Sequence, residues 1–259
     1  MLKFGLRQAA AVRLPGVPVS ALYLRSSLLL CSSGAASRQD FRRHSSSSAP
    51  LTPRKALLSS AQVNVGRLAG AMKGRILQGE TCSIDAVGAE AQSRAVKAMV
   101  FTSRYLQDTH PGLHVFFEPE AVSLPAQGDA PETKMLRLHA CLLPEPTAVE
   151  KADIVVSRET NPGLTAAEIA RTLRARGRQG VVSISGMGPV PMNRALKAIV
   201  LARRYMEPHF KAGESVLAGP AIETLQAGAD GGEDRVRFLL SCVWGPRAIV
   251  SLPNANSEE

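Results

Sequence analysis

Paired cysteines, membrane-length apolar runs and catalytic motifs are what this 259-residue chain lacks. Its four cysteines, Cys31, Cys82, Cys141 and Cys242, show no C-x-x-C spacing. That argues against a disulfide framework or a zinc site, and for small buried hydrophobes in a reducing compartment. No apolar run approaches the roughly 18 residues of a membrane span. The longest candidate, Val17 to Leu30, is interrupted by Arg25, so no membrane partner is expected. There is no nucleophile–base constellation, no metal-ligand spacing and no Walker-type loop. The chain therefore does not read as an enzyme, and no cofactor or metal is expected. His110, His114, His139 and His209 lie at strand or helix ends without a partner pattern, so none reads as a ligand.

Acids are missing from the first 50 residues. Lys3, Arg7, Arg13, Arg25, Arg38, Arg42 and Arg43 stand there against Asp40 alone, in a serine-rich stretch that ends RRHSSSSAP. An Arg- and Ser-rich, acid-poor leader is the composition of a mitochondrial transit peptide. The alternative is a disordered basic tail that binds nucleic acid itself. The expected organisation is a leader over 1–50, a first unit over 51–147, a second over 148–250 and an acidic tail over 251–259. Mitochondrial localisation follows from the leader.

The leader also weakens the charge argument. The formal net charge is +9, but seven basic residues against one acid give residues 1–50 a charge of +6. The remaining 24 Lys/Arg and 21 Asp/Glu leave the body at +3. Distribution says more than the total. Between Arg158 and Lys211 lie ten basic residues and three acidic ones, whereas acids gather around Glu118 to Glu132 and Asp230 to Asp234. One surface can be basic on a nearly balanced molecule.

What the chain does have is a repeat. Ser83 to Tyr105 reads SIDAVGAEAQSRAVKAMVFTSRY, and Ser183 to Tyr205 reads SISGMGPVPMNRALKAIVLARRY. Laid together without a gap, they match at 10 of 23 positions, where random pairing gives roughly one or two. A fixed period dictates the architecture and has to be settled first.

Each copy needs the same elements around this stretch. The first has a strand at 56–59, a turn at Val63–Gly66 and a helix over 67–77 containing Gly70 and Gly74. Two such small residues suggest a helix lying close against a sheet. A strand over 82–87, a tight loop over 88–91 and a helix over 92–106 follow. His110-Pro111-Gly112 stops that helix, and strands over 113–124 and 134–143 end the copy. The second copy repeats the order, with a strand at 154–157 and a helix that Thr165 caps, Glu168 completing a capping box. That helix runs to about Arg176 and is closed by Gly177. A strand over 180–185, a loop over 188–191, a helix over 192–206 and strands over 214–225 and 235–244 complete it. The fold class is α+β, two tandem β-α-β-α-β-β units, each a two-layer sandwich with two helices on a four-stranded sheet. The final strand pair can project as a hairpin arm.

At 100° per residue, Ala95, Met99, Thr102 and Leu106 form the buried stripe of the second helix. Arg94, Lys97 and Arg104 fall on the other side, and Arg194, Lys197 and Arg204 take the same places in the second copy. Arg171, Arg174 and Arg178 make a further stripe. Charges opposite a core stripe are ordinarily a solvated face. Against that, the positions recur, no acids at helical spacing pair with them, and a glycine turn precedes each helix. Such a turn exposes N–H groups at a helix N-terminus, a natural phosphate seat. Tyr105 and Tyr205 occupy one equivalent position, where they either stack on bases or pack against a neighbouring strand.

The run G-x-x-x-x-N-x-A-x-K-A-x-x-x-A-R resembles the bacterial stage V sporulation protein S family, of the Alba-like superfamily of small nucleic-acid-binding proteins. It reads Gly188, Asn193, Ala195, Lys197, Ala198, Ala202 and Arg203 in the second copy, and Gly88, Ala95, Lys97, Ala98 and Arg104 in the first. The family's second loop glycine is replaced by Glu90 and Val190, the first copy has Ser93 for asparagine, and Pro189 and Pro191 stiffen the second loop. Glu90 makes the first loop a poorer phosphate seat, so the second copy is expected to read nucleic acid better. The resemblance implies an intramolecular pseudo-dimer that places second helices and hairpin arms around RNA or DNA, RNA ahead of DNA. Gly88, Gly188 and Asn193 join the basic residues as candidate contacts. The alternative is a structural subunit of a mitochondrial ribosome or RNA-processing ribonucleoprotein.

Overall fold

The computed structural model describes residues 56–124, 133–144, 152–225 and 235–246. The leader, the hairpin loops around Gly128 and Gly231, the linker beyond Pro144 and the acidic end lie outside the described residues. The first copy comprises β1 (Leu57–Ser59), α1 (Val65–Leu77), β2 (Cys82–Ala86), α2 (Ala89–Leu106), β3 (Leu113–Leu124) and β4 (Thr133–Pro144). The second comprises β5 (Ile154–Val156), α3 (Pro162–Arg176), β6 (Val181–Gly186), α4 (Pro189–Met206), β7 (Glu214–Leu225) and β8 (Arg235–Pro246). The order β-α-β-α-β-β occurs twice, as the repeat requires.

Each copy pairs its first two strands in parallel, and α1 and α3 supply the crossovers that parallel pairing needs. The last two strands form a long antiparallel hairpin that pairs with the second strand. The two sheets do not stay separate. They join edge to edge at β3 and β7 into one eight-stranded sheet of order β1-β2-β4-β3-β7-β8-β6-β5, the same sequence of strands read from either end. Register runs one row across both copies through Cys82, Ala140, Phe117, Ala218, Cys242 and Val182. That row belongs to one core shared with all four helices. On the other face the first copy carries polar pairs, with the Arg137 guanidinium donating to both Asp85 oxygens at 2.7 and 2.9 Å.

The expected stripe of α2 is borne out: Ala95, Met99, Thr102 and Leu106 are fully buried. The Thr102 hydroxyl sits 2.8 Å from the Ala98 carbonyl and 3.2 Å from the Ala69 carbonyl, which holds α2 against α1. Burial extends beyond that stripe to Gln92, Val96, Val100 and Ser103, because α2 meets α4 as well as its own sheet. Burial also pushes the thiol of Cys82 up to about 11 and those of Cys141 and Cys242 up to about 12. All three are free thiols and stay protonated at neutral pH.

Three local expectations need correcting. The loops placed at 88–91 and 188–191 are helix, since α2 starts at Ala89 and α4 at Pro189. Proline is suited to the first helical position, where its missing N–H is not needed, so Pro189 starts α4 rather than stiffening a loop. Thr165 is not the cap of α3. The cap is Asn161, whose side-chain oxygen accepts from the Gly163 and Leu164 N–H groups, while the Thr165 hydroxyl donates to the Asn161 carbonyl at 3.1 Å. Asn64 caps α1 in the same way, accepting from the Arg67 N–H at 3.0 Å. Asn followed by Pro at the first helical position is the stronger start signal. Finally, Gly70 and Gly74 do not press on a sheet, for a methyl group at either would meet nothing within 4 Å. Gly70→Ala and Gly74→Ala should each stabilise the chain by roughly 0.5–1 kcal/mol. The check is a higher denaturant midpoint at unchanged slope.

Candidate nucleic-acid interface

The two signature helices meet at their N-terminal ends. The Asn193 side-chain amide of α4 donates to the Gln92 side-chain carbonyl of α2 at 2.5 Å, a bond between residues 101 positions apart. Asn193, expected as a nucleic-acid contact, is thus used to hold the copies together. Gly88 and Gly188 cap these helices at φ 84° and 87°, a backbone conformation glycine tolerates without strain. Neither helix start has a side-chain cap, so the first-turn N–H groups of α2 are not taken by a capping side chain, whereas α4, starting Pro189-Val190-Pro191, has only the Val190 N–H to offer. Val87, Met187 and Val190 are exposed around them.

The basic residues divide into those left open and those used internally. Lys97 and Lys197 are exposed at equivalent positions and have no acidic partner among the described residues. Arg104 and Arg204 are exposed too, but they occupy the last turns, where the helix dipole favours a cation in any case. Arg104 lies over the Phe101 ring at 5.7 Å. Arg204 opens onto a cleft of about 360 Å³ that also holds Glu120, Glu207 and Glu214. Three carboxylates there make a poor phosphate site.

Arg94 and Arg194 are half-buried clamps. Each donates to the carbonyl just before the asparagine cap of the preceding helix, Arg94 to Val63 at 3.1 Å and Arg194 to Thr160 at 2.9 Å. Arg94 also faces Glu90 at 3.4 Å, which corrects the expectation that no acid at helical spacing pairs with these faces. Glu90 lies in the first turn of α2, where the helix dipole favours a carboxylate. The α3 stripe is occupied as well. Arg171 binds Glu168 at 2.6 Å, and Arg174 donates to the Ala170 carbonyl at 3.2 Å. Arg178 binds Glu214 at 2.8 Å and lies over the Trp244 ring at 5.5 Å. Of the twelve candidates, the structure brings Gly88, Gly188, Asn193 and the Arg94/Arg194 clamps to the joined helix starts, with Lys97 and Lys197 on the exposed sides of the same helices. Arg171 and Arg174 of α3 are engaged elsewhere, as is Arg178, which lies past the end of α3 at Arg176 and so does not continue its stripe.

Tyr105 and Tyr205 are 40% and 48% exposed, so each ring is divided between packing and solvent. Sequence reasoning missed Gln92, Glu118 and Arg203, which act between copies. Arg203 lies in the signature, yet its Nε binds Glu118 of the first copy at 2.8 Å. The available signal was the repetition of apolar Val96/Leu196 and Val100/Val200. It widens the apolar arc of each helix beyond what one sheet requires.

Together these features define a tandem Alba-like protein, with paired second helices and long hairpins on a shared sheet. The family model for stage V sporulation protein S matches the chain twice, at residues 55–138 and 152–238, and the chain belongs to that family. No curated protein matches it. Among the described residues no helix is long and apolar enough to cross a membrane, and no cluster of His, Cys, Asp or Glu could hold a metal ion.

Proposed function

We propose that the chain is a non-catalytic nucleic-acid-binding protein of mitochondria, contacting RNA ahead of DNA through the exposed sides of α2 and α4 next to their joined N-terminal ends. The observation that carries this reading is the exposed pair Lys97 and Lys197, at equivalent places on two helices whose starts are held together. Lysines neutralise phosphates, and the N–H groups at the start of α2, with that of Val190 in α4, donate to the same anions without reading sequence. The first copy competes with its ligand through Glu90, whereas the second has Val190 there and is the better reader. The acid-poor leader supports mitochondrial import.

Affinity should fall with salt, by roughly 0.7 to 0.9 log units per log unit of salt for each phosphate neutralised. Lys97→Glu with Lys197→Glu should weaken binding about tenfold or more and lower the salt slope by about two. Titrations of matched single-stranded RNA, duplex RNA and duplex DNA at several salt concentrations provide the measurement. Binding indifferent to ionic strength, or an unchanged double variant, would remove the proposal. Import of the full chain into isolated mitochondria tests the location.

A second reading, a subunit of a mitochondrial ribosome or RNA-processing particle, draws on the exposed apolar residues Val87, Met187 and Val190. Sedimentation from a mitochondrial lysate separates the two. An RNase-sensitive large particle favours the subunit, and a free chain the independent binder.

A further inference from the structure

The strand order and the junction relate the two copies by a pseudo-twofold. Phe117 pairs with Ala218, and each is the fifth residue of its strand. Around this point the contacts between copies come in related places, yet the residues in those places differ chemically.

One place has a large residue against a small one. The Phe116 ring fills the space beside Gly219, where a Cβ atom would lie 2.7 Å from ring carbons. The twofold-related pair is Leu217 and Glu118. A second place has a carboxylate at the junction. Glu118 is 6% exposed and takes the Arg203 guanidinium from α4 at 2.8 Å and the Ser215 hydroxyl at 3.0 Å. The related positions hold Ser103 and Gly219, which can form no ion pair. The third place is the Asn193–Gln92 bond, whose related pair is Ser93 and Met192.

We infer that the two copies have diverged into complementary halves that pair with each other and reject pairing with themselves. If the first copy paired with itself, each Phe116 ring would face Glu118, whose Cβ would lie where Gly219 leaves room. Both carboxylates would then find Ser103 in place of arginine. If the second copy paired with itself, each Gly219 would face Leu217, too small to fill the space of a phenylalanine. Both Arg203 side chains would face glycine where the carboxylate belongs, and each Asn193 amide would face Met192. Each self-pairing thus combines a packing fault with the loss of the Arg203–Glu118 ion pair, and each fault appears twice. The surface β3–α2 fits β7–α4 of this chain, so the covalent link joins unlike partners and not interchangeable ones.

The test keeps the full chain and exchanges the five positions. One variant carries first-copy residues on both sides (Met192→Gln, Asn193→Ser, Arg203→Ser, Leu217→Phe and Gly219→Glu). A second carries second-copy residues on both sides (Gln92→Met, Ser93→Asn, Ser103→Arg, Phe116→Leu and Glu118→Gly). A third carries all ten changes, which restores unlike faces with the sides reversed. Both one-sided variants should unfold at lower urea than the original chain, and the tenfold exchange should regain most of the lost midpoint. A one-sided variant as stable as the original overturns the inference. So does an exchange no more stable than the weaker one-sided variant, including the case in which neither folds.

Discussion

Gly219→Leu should lower the stability of the folded chain by about 3 kcal/mol, the upper range for forcing extra carbons into a packed site. A Cβ at this position would sit 2.7 Å from two ring carbons of Phe116 and 3.1 Å from a third. The ring cannot swing away freely, since Phe116 is only 1% exposed. Phe116→Ala in the same chain should return part of the loss, because the leucine then occupies space the ring vacates. Phe116→Ala alone opens a cavity and costs roughly 3 kcal/mol or more. The double variant should therefore be less damaged than the two single effects added, by at least about 1 kcal/mol of coupling. Urea unfolding of the four chains measures it. Strict additivity would show that ring and glycine do not share the space the structure gives them.

The repeat made much of this fold legible. A ten-residue match fixed two copies, and the apolar spacing of α2 fixed its buried face at Ala95, Met99, Thr102 and Leu106. Strand and helix order followed because glycines and prolines punctuate both copies alike. What could not be read was the union of the sheets. The junction is one backbone pair, Phe117 with Ala218, and Pro119 and Pro220, which have no ladder N–H, mark β3 and β7 as edge strands and not as partners. The misplaced helix starts have a local cause. Gly-Ala-Glu and Gly-Pro-Val look like turns, but a glycine at positive φ followed by a good first-turn residue is how a helix without a side-chain cap begins. The site was legible only in part. A helical projection separates buried from exposed faces, and it placed Lys97 and Lys197 correctly outside. It cannot tell solvent from a second copy, so it missed Gln92 and Arg203. Nor can it tell a free arginine from one that clamps a backbone carbonyl, as Arg94 and Arg194 do.

Arg203→Met should cost about 3 kcal/mol, the lower end for removing one partner of a buried ion pair. The lower end applies because Arg203 is itself 29% exposed while Glu118 is 8% exposed at the side chain, and because the Ser215 hydroxyl remains on the carboxylate. Methionine keeps most of the arginine's apolar stem, so the loss reports the guanidinium more than the packing. Glu118→Gln leaves an amide that still bonds Ser215 and carries no charge to compensate, so it should cost less than Arg203→Met. In the double variant, removing both charges should recover part of the Arg203→Met loss, since a neutral amide beside methionine is cheaper to bury than a carboxylate that has lost the Arg203 guanidinium. The cycle is read from urea midpoints at pH 7. If Arg203→Met is neutral, or if adding Glu118→Gln makes it worse, then the charge pair does not hold the copies together. The junction would then rest on Phe116 against Gly219, the Phe117–Ala218 backbone pair and the Gln92–Asn193 bond, with the Ser215–Glu118 hydrogen bond beside them. Arg203 stands where the first copy has serine, so the same substitution made at the related place, Ser103→Met, should show no coupling to Glu118. That comparison separates an ion pair particular to one side of the pseudo-twofold from a general tolerance of the helix face.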